Sequence, residues 1–135
     1  MPTGYSGTPL AKKLGFAPQM RAYVAGAPAN YRRMVDPLPD GVTFARTPNP
    51  PIDLAHFFVT ERRVLADRLP ELKRAVAPTG AIWISWPKRA SKQETDITED
   101  VIRDIALPFG LVDIKVCAVD ETWSGLKLVL RKELR

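Results

Sequence analysis

The sequence predicts an α/β fold: a mostly parallel sheet of about six strands, closed by an antiparallel C-terminal hairpin. Short apolar runs alternate with helical patterns over the first hundred residues, which is typical of a parallel sheet covered by helices on both faces. The last two apolar segments alternate with polar residues and are joined by a polar connection, as in a hairpin. The 135 residues, 45% hydrophobic and 26% charged, suffice for one core. Residues 1–135 are therefore assigned to one domain.

Proline and glycine divide the first half of the chain into short elements, consistent with 13 prolines in the sequence. Residues 1–15 form an N-terminal helical lead-in, in which Pro9 suits the first helical position and Gly15 a left-handed stop. A strand at residues 20–24 leads through a turn into a helix that begins at Pro28. Because the residue before proline resists helical angles, this helix ends before Pro37. Further strands are predicted at residues 42–45 and 54–59.

The second half begins with a helical pattern over residues 61–77, in which Pro70 predicts a kink or a break into two short helices. A turn at residues 78–80 precedes the strand 81–86, whose apolar sequence indicates burial on both faces. Thr98 is predicted to cap a helix that ends at Pro108 and Gly110. The closing hairpin comprises strands at residues 111–119 and 126–131. In the first of these, positions 112, 114, 116 and 118 share one apolar face.

The charge and the cysteine content limit the partners and the class of site. The net charge is +5, and residues 1–50 hold six basic but only two acidic side chains, which favours a small anionic or nucleotide ligand. No run of Lys and Arg resembles a nucleic-acid arm, so nucleic acid is an unlikely partner. The one cysteine, Cys117, excludes an internal disulfide, and no cluster of ligands indicates a metal. Apolar runs of about six residues are too short to span a membrane. With no signal peptide recognisable, a cytoplasmic location is expected.

No motif assigns a catalytic residue. The sequence contains no nucleophile elbow, no P-loop and no zinc-protease motif. His56 lies in an apolar strand, where a buried, hydrogen-bonded core histidine is expected rather than a base. Cys117 is interpreted as an inert core thiol.

Residues 72–88, LKRAVAPTGAIWISWPK, resemble the helix, turn and fifth strand of Rossmann-type methyltransferases. The following helix, strand and antiparallel last strand are similar to the same fold. The resemblance covers about half the chain and implies a Rossmann-like, three-layer domain. The front half departs from the family: the loop after the first strand has the single glycine Gly26, and Arg46 stands where an acidic residue holds the ribose hydroxyls.

A second resemblance covers nearly the whole chain. The strings YSGTPLAKKLG (5–15), FFVTERRVLADRLPEL (57–72), WISWPKRASKQETDITEDV (83–101) and LVDIKVCAVDETWSGLKLV (111–129) resemble a bacterial family, domain of unknown function 3052. This family implies no activity and no site residue.

The candidate site follows from the topology, because ligands of open α/β sheets bind outside the carboxyl ends of the strands. The loops after residues 86 and 119 are expected to meet at that edge, where cations and an indole suit an anion or a nucleotide. An open alternative is that Lys88 simply pairs with Asp120 or Glu121 while the two tryptophans pack the loops together. The candidate ligand-binding residues are Gly26, Trp86, Lys88, Arg89, Ser91, Lys92, Asp120, Glu121, Thr122, Trp123 and Ser124.

These observations favour a non-catalytic anion- or nucleotide-binding or interaction module, with no cofactor evident. One alternative is a minimal S-adenosylmethionine-dependent methyltransferase-like enzyme that holds its cofactor near Gly26. The other is a domain that binds a protein partner through its half-polar outer strands.

Overall fold

One six-stranded sheet organises the computed structural model, which describes residues 7–135. Its strands are β1 (Arg21–Ala25), β2 (Thr43–Ala45), β3 (Ile52–Phe58), β4 (Val76–Pro87), β5 (Leu111–Ala118) and β6 (Trp123–Leu130). The order across the sheet is β2-β1-β3-β4-β6-β5. Neighbouring pairs from β2 to β4 are parallel, whereas β6 is antiparallel to both β4 and β5. The predicted fold class, with its antiparallel C-terminal hairpin, is confirmed.

Helices cover both faces of the sheet. They are α1 (Leu10–Leu14), α2 (Tyr31–Met34), α3 (Arg62–Ala75) and α4 (Glu99–Ala106). On one face, leucines of α3 and Ile102 of α4 form a buried cluster with Ile84 and Leu126 of the sheet. On the other face, α1 and the start of α2 pack against Trp83 and Phe58. We refer to these as the α3–α4 face and the α1–α2 face.

The strand predicted at residues 81–86 forms the centre of the sheet and is buried throughout. Its largest side chain, Trp83, donates a hydrogen bond from Nε1 to the backbone oxygen of Leu14 at 2.7 Å. This bond fastens the short helix α1 to the sheet. Gly15 then ends α1 at φ 90°, as the sequence predicts. Tyr5 and Ser6, which belong to the first of the family-like strings, lie outside the described residues.

Two prolines do not break the chain where the sequence predicts a break. Pro70 lies inside α3, which continues through it while Leu69 and Leu72 stay buried against the sheet. The turn predicted at residues 78–80 is a bulge within β4. Ile52 pairs with Val76 but Leu54 already pairs with residue 81, so β4 carries extra residues opposite β3. At Pro70 the buried leucines on either side override the local preference of proline, whereas the exposed Pro78 is accommodated by the bulge.

The apolar face predicted for β5 is partly exposed. The register with β6 shifts between Asp113 and Lys115, which places a bulge at Ile114. Ile114 is 57% exposed and Val116 is 53% exposed. Alternation alone could not reveal this, because one inserted residue reverses the faces of everything that follows.

The helix α4 begins as the sequence predicts. The hydroxyl Oγ1 of Thr98 accepts a hydrogen bond from the amide of Val101 at 3.2 Å. Two residues earlier, Asp96 Oδ1 accepts from the amide of Arg62 at 2.6 Å, so this carboxylate stabilises the start of α3. Across residues 7–135, no helix is both long and apolar enough to cross a membrane.

Candidate functional site

The carboxyl ends of the parallel strands form one edge of the sheet, where the strand order reverses between β1 and β3. The chain leaves β1 towards β2 on one side, and later runs from β3 to β4 on the other. Such a reversal opens a crevice between the two connections, and ligands of α/β proteins bind there. We call the space above the ends of β1 and β3 the switch-point crevice.

Gly26 forms the turn that leaves β1 at this crevice. It is exposed and has φ 71°. A Cβ at this position would lie 2.4 Å from the backbone oxygen of Phe58 at the end of β3. Glycine is therefore required by the close approach of the two strand ends, and the turn presents bare backbone to the crevice. Pro28, two residues later, contributes no amide hydrogen.

Two charged side chains follow the neighbouring strands β2 and β3 at this edge of the sheet. Arg46 follows β2 and is exposed, as is Glu61, which precedes α3 after β3. Among the described residues, the carboxylate of Glu61 makes no side-chain hydrogen bond or ion pair. The residue before Glu61 is tied to the loop that precedes α4, because Thr95 Oγ1 donates to the backbone oxygen of Thr60 at 2.7 Å.

The two predicted site loops do meet at this edge. Trp86 pairs with Ser124 and Pro87 with Trp123 in the β4–β6 ladder. The amide of Lys88 donates to the oxygen of Thr122 at 2.7 Å. The alternative ion pair of Lys88 with Asp120 or Glu121 is not formed. Instead, Asp120 Oδ1 accepts the amides of Thr122 and Trp123, both at 2.8 Å.

The two tryptophans nevertheless lie on opposite faces of the sheet and do not pack together. Trp86 is buried in the cluster of the α3–α4 face. Trp123 is half-buried on the α1–α2 face, where its ring meets Phe58 edge-on at a centroid distance of 5.1 Å. Because side chains alternate along a strand, the pairing of Trp123 with Pro87 rather than with Trp86 decides their faces.

A cavity of about 790 Å³ lies beside the loop that follows β4. It contains three of the predicted ligand residues, and its other walls come from the following loop and the start of α4. Gly26, Lys88, Ser91 and residues 120–124 do not line it. Both signs of charge are present, because Glu94 and Glu99 line the cavity together with Arg89 and Lys92. Its lining residues are Trp86, Pro87, Arg89, Lys92, Gln93, Glu94, Thr95, Ile97, Thr98 and Glu99.

Three buried polar side chains from α2, β3 and β4 are joined by two hydrogen bonds. The hydroxyl of Tyr31 is 2.9 Å from His56 Nδ1, and His56 Nε2 is 2.7 Å from Ser85 Oγ. All three side chains are buried, and the imidazole stacks on Phe58 at 4.2 Å. Burial lowers the pKa of His56 to about 3 and raises the pKa of Tyr31. The histidine is therefore neutral and out of reach of a substrate.

The prediction of a hydrogen-bonded core histidine is thus confirmed, but its two partners were missed. One signal was present in the sequence. Ser85 is the single polar residue in the apolar run 81–86, and a buried hydroxyl needs a partner. Tyr31 gave no comparable signal, because only the packing of α2 over β3 brings it to His56.

The solved structures that resemble this chain include several methyltransferases and a SAM-bound protein. They include a SAM-dependent methyltransferase from Aquifex aeolicus, with 18% identity, TM-score 0.58 and coverage of 87% of this chain and 85% of that one. A putative type 11 methyltransferase from Sulfolobus solfataricus has 13% identity, TM-score 0.57 and coverage of 84% and 85%. LepI in complex with SAM has 13% identity, TM-score 0.58 and coverage of 92% and 47%. No family model matches the sequence, and no curated protein matches it.

The chain therefore has a methyltransferase-like Rossmann fold. The identities are too low to establish more than the fold. The comparisons do correct one prediction: the non-catalytic anion- or nucleotide-binding module favoured by the sequence is wrong. Several of the similar structures are described as methyltransferases, and they favour the methyltransferase-like enzyme that was the alternative.

Proposed function

We propose that this chain is a small methyltransferase-like enzyme that binds S-adenosylmethionine in the switch-point crevice. The observation that carries the proposal is the sheet order, with β6 as the antiparallel strand between β4 and β5. This is the topology that the resemblance of residues 72–88 implied. When bound, S-adenosylmethionine supplies a sulfonium methyl group that an acceptor nucleophile takes up, leaving a thioether.

The turn at Gly26 fits this ligand. Gly26 is exposed at the strand reversal, and having no side chain it leaves its own backbone open to a ligand. The position after β2 fits less well, because the guanidinium of Arg46 can only donate hydrogen bonds and cannot accept them from ribose hydroxyls. We assign that role to Glu61, the exposed carboxylate at the end of the neighbouring β3. Its oxygens are acceptors without a partner in the described chain.

The acceptor molecule is assigned to the cavity beside Trp86. Its volume of about 790 Å³ lies within the range of small-molecule sites. Arg89 and Lys92 line it together with Glu94 and Glu99, so a polar acceptor that carries charge suits the lining better than an apolar one. Three of the predicted ligand residues, Trp86, Arg89 and Lys92, thereby keep a role in the proposal.

Glu61→Gln tests the cofactor site without changing the shape of the side chain. A hydrogen bond to a charged acceptor contributes roughly 1.5–3 kcal/mol, so we expect the Kd for S-adenosylhomocysteine to rise at least about tenfold. Asp104→Asn is the matched control, because Asp104 is an exposed carboxylate on α4. The measurement is isothermal titration calorimetry of both variants and the unmodified chain. Equal affinities in all three would remove Glu61 from the site.

A second pair of substitutions separates the two ligand positions. Arg89→Ala with Lys92→Ala should leave the affinity for S-adenosylhomocysteine unchanged, because both residues line the cavity and not the crevice. A loss as large as that of Glu61→Gln would instead place the cofactor in the cavity.

Two finer predictions from the sequence accompany this proposal. One is membership of the bacterial domain of unknown function 3052, which rests on the four quoted strings, and the other is a cytoplasmic location. Expression of a tagged chain in bacteria, followed by fractionation, tests the second of these.

A further inference from the structure

The strand β5 forms one edge of the sheet and has β6 as its single neighbour strand. An edge strand presents backbone groups that can pair with another strand, and many proteins protect such edges. Here the bulge at Ile114 interrupts the pairing of β5 with β6. It leaves residues 115–118 as a regular edge, from Lys115 opposite Lys127 to Ala118 opposite Ser124. The exposed centre of this segment is Val116.

One side of this edge is strongly basic. A cavity of about 490 Å³ between α1 and β5 is lined by Thr8, Lys12, Lys13, Lys115, Val116, Cys117 and Ala118, with no carboxylate among them. The ammonium of Lys115 donates to the oxygen of Lys13 at 3.2 Å. The ammonium of Lys13 donates to the oxygen of Ala118 at 3.0 Å. These two bonds hold the lysines of α1 alongside the edge strand.

The thiol of Cys117 lies within the same positive field. Burial raises its pKa, while the nearby charges of Lys13, Lys115 and Lys88 each lower it. Like charges gathered without a carboxylate repel one another, and an anionic partner relieves that repulsion.

The two sides of the edge differ in chemistry. Lys115 pairs with Lys127 and points to the α1–α2 face, whereas Val116 pairs with Leu126 and points to the other. A strand added here would alternate in the same way, because its side chains have a period of two. Acidic side chains would face the lysines, and apolar ones would lie beside Val116.

We infer that the edge of β5 at residues 115–118 binds an extended segment of a partner protein in which acidic and apolar residues alternate. The added strand pairs with the backbone of β5 at Val116, and its carboxylates meet Lys12 and Lys115, while the oxygen of Ala118 stays bonded to the ammonium of Lys13. A second copy of this chain does not suit the edge. Two β5 strands would bring their lysine rows together with no carboxylate between them, which destabilises a pairing.

The test uses a short fluorescent peptide of alternating glutamate and valine, titrated with the full chain and followed by fluorescence anisotropy. We expect saturable binding that weakens as salt is added. Lys115→Glu and, independently, Lys12→Glu should each raise the Kd by roughly tenfold, which corresponds to about 1.4 kcal/mol. Arg63→Glu is the matched control, because it makes the same charge change on an exposed site of α3. Thermal melting verifies that each variant is folded.

A second arm tests strand addition itself. The same peptide with alternate amides N-methylated keeps its charge but cannot pair as a strand, and it should not bind. Absence of binding by the unmethylated peptide, or equal binding by the methylated one, would overturn the inference. So would an equal loss in Arg63→Glu, or tighter binding of a single-stranded oligonucleotide of the same charge. Self-association that Lys115→Glu abolishes would assign the edge to a second copy instead.

Discussion

His56 Nε2 lies 2.7 Å from Ser85 Oγ, joining β3 to β4 through a hydrogen bond within the core of the sheet. The bond lies on the α1–α2 face, and Tyr31 extends it to the first residue of α2. The helix that follows the Gly26 turn is thus tied through two side chains to the centre of the sheet. These two hydrogen bonds hold the start of α2 against β3 and β4, whose ends lie at this edge of the sheet.

Ser85→Ala should destabilise the fold by about 1–3 kcal/mol, because it leaves a nitrogen of a fully buried imidazole without its partner. Tyr31→Phe should cost a similar amount for the same reason. The double variant should cost less than the sum, since both changes affect one histidine. Urea unfolding of the three variants measures these differences. Full additivity would show that the two bonds act independently.

Acidification should destabilise the protein through His56. Its folded pKa is about 3, below the ordinary 6.5, so the unfolded chain takes up a proton that the folded chain does not. The stability is fully present above pH 6.5 and falls as the pH drops towards 3, with about 2 kcal/mol lost between about pH 7 and 5. The chain has one histidine, so His56→Gln should flatten this part of the profile. Urea unfolding at a series of pH values provides the measurement, and an unchanged slope in the variant would contradict the assignment.

Gly26→Ala should destabilise the fold more than Gly7→Ala. Both glycines have positive φ, 71° and 86°, but only at Gly26 would a Cβ meet the backbone of Phe58. At Gly7 no atom of the residues described beyond its chain neighbour lies within 4 Å of the added carbon. We expect a conformational cost of about 1–2 kcal/mol in both, and about 1–3 kcal/mol more at Gly26 from the clash. Thermal unfolding compares them, and equal losses would show that the turn can move away from β3.

Trp123→Ala should cost about 2 kcal/mol, because the ring is half-buried against Phe58. Trp83→Ala should cost about 3–5 kcal/mol, since that indole is fully buried and hydrogen-bonded to Leu14. Chemical denaturation measures both. A loss below about 1 kcal/mol for Trp123 would indicate that its ring contributes to a binding surface rather than to the core.

Sequence reasoning was most successful where one local signal agreed with burial. The apolar run 81–86 and the cap at Thr98 are both found as predicted. It failed where a tertiary contact overrode a local preference. Pro70 stays within α3 because the buried leucines on either side hold the helix to the sheet. The bulge at Ile114 has no sequence mark, and it reverses the faces of the residues after it.

For the site, topology alone correctly placed the loops after β4 and β5 at one edge. The faces of Trp86 and Trp123 could not be predicted, because they depend on the exact partner of each residue in the β4–β6 ladder. The partners of His56 come from two other elements far along the chain, and no local pattern specifies such a meeting.

The central claim is that the switch-point crevice binds S-adenosylmethionine. Calorimetric titration of the full chain with S-adenosylmethionine and S-adenosylhomocysteine, with ATP as the comparison ligand, tests it most directly. We expect saturable binding of both sulfur compounds, and we expect the melting temperature of the protein to rise with the concentration of either one. At about 100 times the Kd the stabilisation should reach about 2.7 kcal/mol, several degrees for a chain of this size. No heat and no shift with either compound, or the same shift with ATP, would contradict the claim.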